Sequence, residues 1–349
     1  MRPADTPYTT GDGAPAPAIP SPVSPDDPTP PPHRDAPRPD ARRSVRTRHL
    51  AGVAALLGVT AVWGSTFPLT KDMVTRLPVI DMLAARYLIS VAILLALRPR
   101  ALRGIGPGAW RAGVALGLVY GAALVTQTYG LKALPSSVSG FVTGSYVVMT
   151  PLLALLWFRT PITARTWTAV GLAVAGLGAI TLMSGDAGGG SVSGAGLALT
   201  LGSAALYAVH VVALGRWSRP EHAYALAVLQ VGTMALVCTA VAAPGGIALP
   251  ATPGDWAGLV YLATAAGALS FLAQTWAQAH VPATPAAVVM SIEPLWATAF
   301  ATLLYGEAAG WSLLVGGTCL LTAMVLVAVP ARARRAALPA VIIVEESGR

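Results

Sequence analysis

Charge and cysteine are both scarce in this chain of 349 residues. Only 11% of the residues are charged, whereas 54% are hydrophobic, and the two cysteines fall within apolar segments. Such cysteines act as small hydrophobic residues and provide neither a disulfide framework nor a metal motif. The formal net charge is +8, and the basic residues are concentrated in the segments between apolar runs, whereas nucleic-acid-binding proteins spread positive charge over a soluble face. We therefore expect no nucleic-acid partner, no metal and no cofactor.

The N-terminal segment lacks large apolar side chains and is rich in proline. Such a composition cannot bury enough apolar surface to offset the entropy of ordering. The segment also lacks the apolar stretch of a secretory signal peptide. We predict a disordered cytoplasmic tail over residues 1–49, with a Pro-rich ligand for a partner domain as the alternative.

From residue 50 onward, apolar runs recur at a length that can span about 30 Å of hydrocarbon as helix. Helices are required because lipid offers no hydrogen bonds to an open backbone. The sequence therefore predicts an all-α integral membrane protein with ten transmembrane helices. The predicted runs are 50–69, 78–97, 112–131, 136–158, 164–183, 194–214, 223–243, 256–279, 283–304 and 310–330.

Basic residues predict the orientation of these helices. Arginines occur before the first run and after the second, fourth, sixth and tenth runs, whereas the remaining loops contain only Lys71, Arg76 and Lys132. Cytoplasmic loops carry the excess of lysine and arginine. We therefore predict a multi-pass protein of the plasma membrane with both termini in the cytoplasm.

An internal repeat relates the two halves. "QTYGLKALP" at 127–135 and "QTWAQAHVP" at 274–282 share glutamine, threonine, an aromatic residue and a proline, and "AVWGSTF" at 61–67 lies opposite "ALYAVHV" at 205–211. An odd number of spans inverts the second unit, and inverted repeats are typical of secondary transporters. Chance similarity between apolar helices is the alternative. We predict two inverted five-helix repeats, 50–185 and 193–330, followed by a cytoplasmic tail, 331–349.

Four stretches form a distinctive set, namely "AVWGSTFPLTK" at 61–71, "AARYLIS" at 84–90, "GFVTGSYVVMTPLLALLWFR" at 140–159 and "SIEPLWATAFATLLYGE" at 291–307. Together they resemble the EamA family of the drug/metabolite transporter superfamily. The resemblance implies a permease that exports a small metabolite, an amino-acid-like solute or a drug by alternating access. It also implies a central cavity lined mainly by helices other than the fifth and tenth. The first half has Arg159 where the second has Gly306-Glu307, so we interpret Glu307 as a helix-end residue.

Ionisable residues within the predicted spans are candidate cavity residues. Each costs about 2.5–3.5 kcal/mol at the bilayer centre, so such groups usually face protein or water. Asp81 lies in a first helical turn, where capping explains it. Arg86 could clamp a substrate carboxylate or pair with Glu293. His210 could be a ligand, a proton carrier or a satisfied helix residue.

Neutral residues that combine stacking surface with hydrogen-bonding capacity complete the candidate set. For each of them, the alternative role is to hold neighbouring helices together by hydrogen bonds and packing. These candidates are Trp63, Thr66, Gln127, Tyr146, Gln230, Gln274 and Trp296. Kinks are predicted at Pro68, Pro151 and Pro294. The kink at Pro294 should turn Glu293 into the cavity. There it would bind a substrate amine or a coupling proton, or it would be a packing carboxyl.

The sequence lacks the motifs of an intramembrane enzyme or a channel. An intramembrane enzyme would need paired aspartates, a Ser/His pair or a His-Glu-x-x-His helix, and a channel an arginine ladder or carbonyl filter. We therefore predict a carrier and not an enzyme. The small residues Gly171, Ala175 and Ala179 form a ridge that could serve a homodimer or internal packing equally.

Overall fold

The structure is a computed structural model that describes residues 39–158, 163–182, 192–281, 286 and 289–328. The predictions for residues 1–38 and for the tail at 331–349 fall outside this range. Contacts divide the chain into two compact units, Met1–Arg43 and Ser44–Arg349, and the packing described below belongs to the second.

The described residues fold into helices throughout both halves. Those of the first half are α1 (Pro39–Met73), α2 (Val79–Leu97), α3 (Pro107–Leu131), α4 (Ser136–Gly144), α5 (Tyr146–Phe158) and α6 (Ala164–Leu182). Those of the second are α7 (Gly194–Trp217), α8 (Ala223–Ala242), α9 (Pro253–Gln278), α10 (Glu293–Tyr305) and α11 (Trp311–Ala328). Within α9, the segment Leu262–Leu269 is π-helical.

The described helices do not confirm ten spans, and several bounds differ from the sequence prediction. Six of the described helices are long and apolar enough to cross a membrane, and two shorter apolar helices, Ala164–Ile180 and Trp311–Leu326, accompany them. The fourth predicted run is divided into two short helices, and the ninth is helical without interruption only from Glu293. In addition, α1 begins at Pro39, so residues 39–49 are helical and the predicted disordered tail was wrong there.

The break in the fourth run lies at Ser145 and not at Pro151. The N–H and Oγ of Ser145 both donate to the carbonyl of Val142, at 3.2 and 2.6 Å. In an uninterrupted helix that carbonyl would accept from Tyr146, so the serine competes with the helical bond. Pro151 lies within α5, and its side chain is outside the described part of the chain.

Pro68 and Pro294, the other two residues at which kinks are predicted, occupy different positions in their helices. Pro68 lies inside α1, which continues through it to Met73. Pro294 lies in the first turn of α10, a position that needs no backbone N–H. A turn at 291–292 precedes it, so Glu293 is the first residue of a new helix.

Equivalent helices of the two halves pack against each other. The second helices pair as α2 with α8, the fourth as α4 with α10, and the fifth as α6 with α11. The α6–α11 contact is close, since a Cβ at Gly176 would lie 2.7 Å from the carbonyl oxygen of Gly316. A Cβ at Gly171 would meet nothing within 4 Å, so the ridge that begins there faces away from this contact.

Glu307 joins three helix ends. Gly306 adopts a left-handed conformation at φ 67°, and the N–H of Glu307 returns to the carbonyl of Ala301 at 3.0 Å. The Glu307 carboxylate then accepts from the N–H groups of Ser136 and Ser137 at the start of α4, at 2.9 and 3.3 Å, and pairs with Lys71 at 3.2 Å. Burial acts to raise the pKa of Glu307, but these hydrogen bonds and the lysine charge outweigh it and lower the pKa below its ordinary value.

Candidate functional site

A cavity of about 660 Å³, counting the open space at its mouth, lies between the two halves. Its described wall comes from helices of both repeats, and neither α6 nor α11 contributes to it. The lining residues are Trp63, Thr66, Phe67, Thr70, Arg86, Tyr120, Leu124, Gln127, Thr128, Leu131, Thr143, Tyr146, Tyr207, His210, Val211, Gln274, Met290 and Glu293.

Eight of the ten predicted cavity residues line this space, namely Trp63, Thr66, Arg86, Gln127, Tyr146, His210, Gln274 and Glu293. Gln230 is fully buried behind the wall. Trp296 is 39% exposed and stacks on Phe300, with ring centroids 6.0 Å apart. Trp296 does not line the cavity because α1 approaches α10 closely at Gly64, where an added Cβ would collide with Cβ of Trp296. The indole therefore lies outside the contact.

Sequence reasoning missed the aromatic centre of the wall. Tyr120 lies at the middle of a cluster, with its ring centroid 4.5 Å from Phe271, 5.1 Å from Tyr207 and 5.0 Å from His210. Edge-on contacts of this kind add about 0.5–1.5 kcal/mol each beyond area burial. The repeat carried the signal, because Tyr207 aligns with Trp63 and Val119-Tyr120 recurs at 260–261. The wall is thus built from mutually supported rings.

The two glutamines of the repeat have different hydrogen-bond states. Gln127 accepts from the Tyr207 hydroxyl at 3.0 Å and donates to Thr143 at 3.0 Å, so both ends of its amide are occupied. Oε1 of Gln274 is buried and has no partner within the described part of the chain. Gln127 therefore ties the two halves together, whereas Gln274 offers an acceptor to the cavity.

Gln230 fixes the hydrogen-bonding role of His210. The Gln230 amide nitrogen donates to the carbonyl of Leu226 at 3.1 Å, so its oxygen, 2.8 Å from Nε2 of His210, is the acceptor. A neutral imidazole that donates through Nε2 keeps an acceptor lone pair on Nδ1. His210 thus combines a donor directed to Gln230 with an acceptor on Nδ1.

The π-helical segment of α9 is held by side chains from α1 and α2. A π-helix interrupts the usual carbonyl pairing, and such segments often occur at functional sites. The donors are Trp63 Nε1 to Ala266 at 3.1 Å, Arg86 Nε to Leu262 at 3.1 Å, and Ser90 Oγ to Ala263 at 2.8 Å. Trp63 and Arg86 therefore anchor α9 as well as line the cavity.

Glu293 is the carboxylate of the cavity wall. It is 9% exposed and makes no hydrogen bond or ion pair with any described residue. In particular, Arg86 is not within ion-pair distance, since the described ion pairs are Lys71 with Glu307 and Arg76 with Asp72 and Asp255. The predicted pairing of Arg86 with Glu293 is therefore absent from the described structure. An ionised carboxylate buried in this way is costly unless a cation or a proton neutralises it.

Asp81 lies apart from the cavity. It occupies the first turn of α2, and its carboxylate accepts from the N–H of Ala248 at 3.0 Å. This bond ties the segment before α9 to the start of α2. Elsewhere among the described residues, no three His, Cys, Asp or Glu side chains are placed to hold a metal ion.

Comparisons with known proteins agree with this architecture. The sequence profile of the EamA-like transporter family matches residues 50–182 and, again, 194–329. An uncharacterized transporter of Archaeoglobus fulgidus is 23% identical over 249 residues, which cover 71% of this chain and 76% of the relative. A protein of known crystal structure, 19% identical, superposes with a TM-score of 0.56 over 78% of this chain and 95% of its own, which supports the fold alone.

Proposed function

We propose, because the chain belongs to the EamA-like transporter family, that this membrane transporter is a secondary carrier that exports a small amine-bearing solute. The solute would be a metabolite, an amino-acid-like compound or a drug. Transport across the plasma membrane would occur by alternating access, with the two halves moving about the central cavity. The termini would both lie in the cytoplasm.

The unpartnered carboxylate of Glu293 carries this proposal. The side chain is buried on the wall of the cavity, and no described cation lies within ion-pair distance of it. A substrate ammonium group would supply the missing positive charge and several N–H donors. An empty carrier can return with a proton on the same carboxylate, so one group would serve substrate and proton in turn.

The rest of the wall suits the same ligand. Oε1 of Gln274 and the hydroxyl of Tyr146 are buried without described partners, and Nδ1 of His210 adds a third acceptor. The faces of aromatic rings attract cations, and the wall contains Trp63 and Tyr120. Arg86 is the opposing charge, and it could orient a carboxylate where the solute has one.

Two experiments test the function in sequence. Metabolite profiling of the medium from cells that lack or overproduce the protein should reveal a solute whose export follows expression. That solute should then show saturable, counter-substrate-stimulated flux in proteoliposomes. An intramembrane enzyme or a channel would not show counter-flow, and an unchanged medium would contradict export.

The Glu293→Gln variant tests proton coupling. It keeps the size and hydrogen-bonding capacity of the side chain but removes its titration, so transport should lose its dependence on an imposed pH gradient. The other titratable groups on the wall, Arg86, His210 and the tyrosines, are unchanged in this variant. Glu221→Gln is the matched control, because Glu221 is exposed and lies outside the cavity. An unchanged pH profile in the Glu293→Gln variant would make Glu293 architectural.

A further inference from the structure

A second recess lies on the outer surface of the bundle and shares no lining residue with the central cavity. It encloses about 810 Å³, counting its open side, between α1, the end of α2, the start of α8 and α9. Its floor on α9 consists of Leu269, Leu272, Ala273 and Trp276. These positions recur at helical spacing on one face, which extends for roughly 10 Å along the axis.

One end of this groove is positively charged. The guanidinium of Arg98 lies 5.5 Å from the ring centroid of Tyr224, over its face. The Tyr224 hydroxyl donates to the carbonyl of Leu94 at 2.7 Å, so the ring is fixed as a platform for the arginine. Arg98 forms no ion pair with a described carboxylate. The exposed Arg48 lies seven residues before the groove residue Ala55, and thus on the same face of α1.

An apolar groove that ends in an arginine without a described ion-pair partner complements an amphiphile with an anionic head. We propose that this groove is a binding site for an anionic phospholipid, with an acyl chain against α9 and the phosphate at Arg98. Positive charge at the end of a membrane-spanning helix attracts anionic lipid. A zwitterionic lipid would place a second, positive group near the same arginines, so the charge favours a head group with net negative charge.

Native mass spectrometry of the purified protein with dioleoyl phosphatidylglycerol or dioleoyl phosphatidylcholine tests this site. We expect the protein to retain phosphatidylglycerol about fivefold more strongly than phosphatidylcholine, which is the ratio of affinities that one basic residue near a membrane surface provides. Arg98→Ala should remove this preference, and Arg98→Lys should keep most of it. Arg103→Ala is the matched control, because Arg103 is an exposed arginine of the same loop that does not line the groove.

A second variant separates the apolar part of the site from its charge. Ala273→Phe fills the groove floor and leaves Arg98 in place, so it should weaken retention of the phosphatidylglycerol. Equal retention of the two lipids by the unmodified protein would overturn the proposal. So would an Arg98→Ala variant that retains phosphatidylglycerol as the Arg103→Ala variant does, or an Ala273→Phe variant with unchanged retention.

Discussion

The two glutamines of the internal repeat should respond in opposite ways to the same substitution. Leucine has nearly the volume of glutamine and no hydrogen-bonding group. In Gln127→Leu, the Tyr207 hydroxyl and Thr143 Oγ1 each lose the partner that now lies 3.0 Å away. In Gln274→Leu, the change removes an amide oxygen that has no described partner. The first variant should therefore lose stability, and the second should lose transport.

The expected magnitudes follow from these contacts. Interhelical hydrogen bonds in membranes average about 0.6 kcal/mol, and an orphaned buried group costs about 1–3 kcal/mol, so Gln127→Leu should cost roughly 1–3 kcal/mol. Gln274→Leu removes a buried unsatisfied acceptor and should leave stability unchanged or slightly higher. If Gln274 accepts from a charged substrate donor, worth about 1.5–3 kcal/mol, its loss should raise KM roughly tenfold or more.

Denaturation in detergent, monitored by tryptophan fluorescence, gives the stability of both variants, and flux into proteoliposomes gives KM. The comparison is internally controlled, because each variant is the reference for the other in one of the two measurements. Equal losses of stability in the two variants would refute the distinction between a tied and a free glutamine. A Gln274→Leu variant with an unchanged KM would remove Gln274 from the substrate contacts.

Two further predictions concern the framework around the cavity. Because the pKa of Glu307 is lowered in the folded protein, its contribution to stability is present above the ordinary value of 4.5 and is lost as pH falls through the folded-state pKa. In thermal unfolding, the Glu307→Gln variant should therefore lack the loss of stability that the unmodified protein shows below that pH. Parallel curves of melting temperature against pH for the two proteins would contradict the role of Glu307. Gly64→Ala should cost about 1–3 kcal/mol because its Cβ would collide with Cβ of Trp296. Gly58→Ala on the same helix has open space and should gain up to about 1 kcal/mol, so equal effects in denaturation would contradict the close crossing.

The sequence was most informative where chemistry recurs in both halves. The family resemblance is confirmed, and eight of the ten predicted residues line one cavity. Their position on the wall has a physical basis, since a polar or aromatic residue at the same position of two repeats is unlike the lipid-facing surface around it. Gln127 and Gln274 were found in this way. Their different hydrogen-bond states were not predictable, because the partner Tyr207 comes from the packing of α7 against α3.

Helix breaks were less predictable from composition. The fourth run breaks at Ser145 and not at the predicted Pro151, whereas the kink predicted at Pro68, within the continuous α1, stays a prediction. A serine hydroxyl that turns back to a carbonyl of the preceding turn does not by itself break a helix, since Ser65 makes the same bond to Val62 within α1. The sequence alone therefore does not place the break. Trp296 shows the same limit for packing, since its exclusion from the cavity follows from the close approach of α1 at Gly64.

The two repeats differ in how far the polar side chains of the cavity wall are hydrogen-bonded within the protein. Arg86 and the aligned Gln230 both brace a neighbour, one the π-helical segment of α9 and the other His210. Among the described residues of the wall, the acceptors without a described partner are Nδ1 of His210, Oε1 of Gln274 and the Glu293 carboxylate in the second half, and the Tyr146 hydroxyl in the first. An inverted repeat supplies two similar sets of side chains around one axis, and two equal sets of acceptors would compete for one ammonium group. Because most of the first set is satisfied within the protein, most of the available acceptors lie in the second half, and a bound ammonium group would have one preferred position. Glu293, the ligand that we propose for that group, is the first residue of a separate helix, α10.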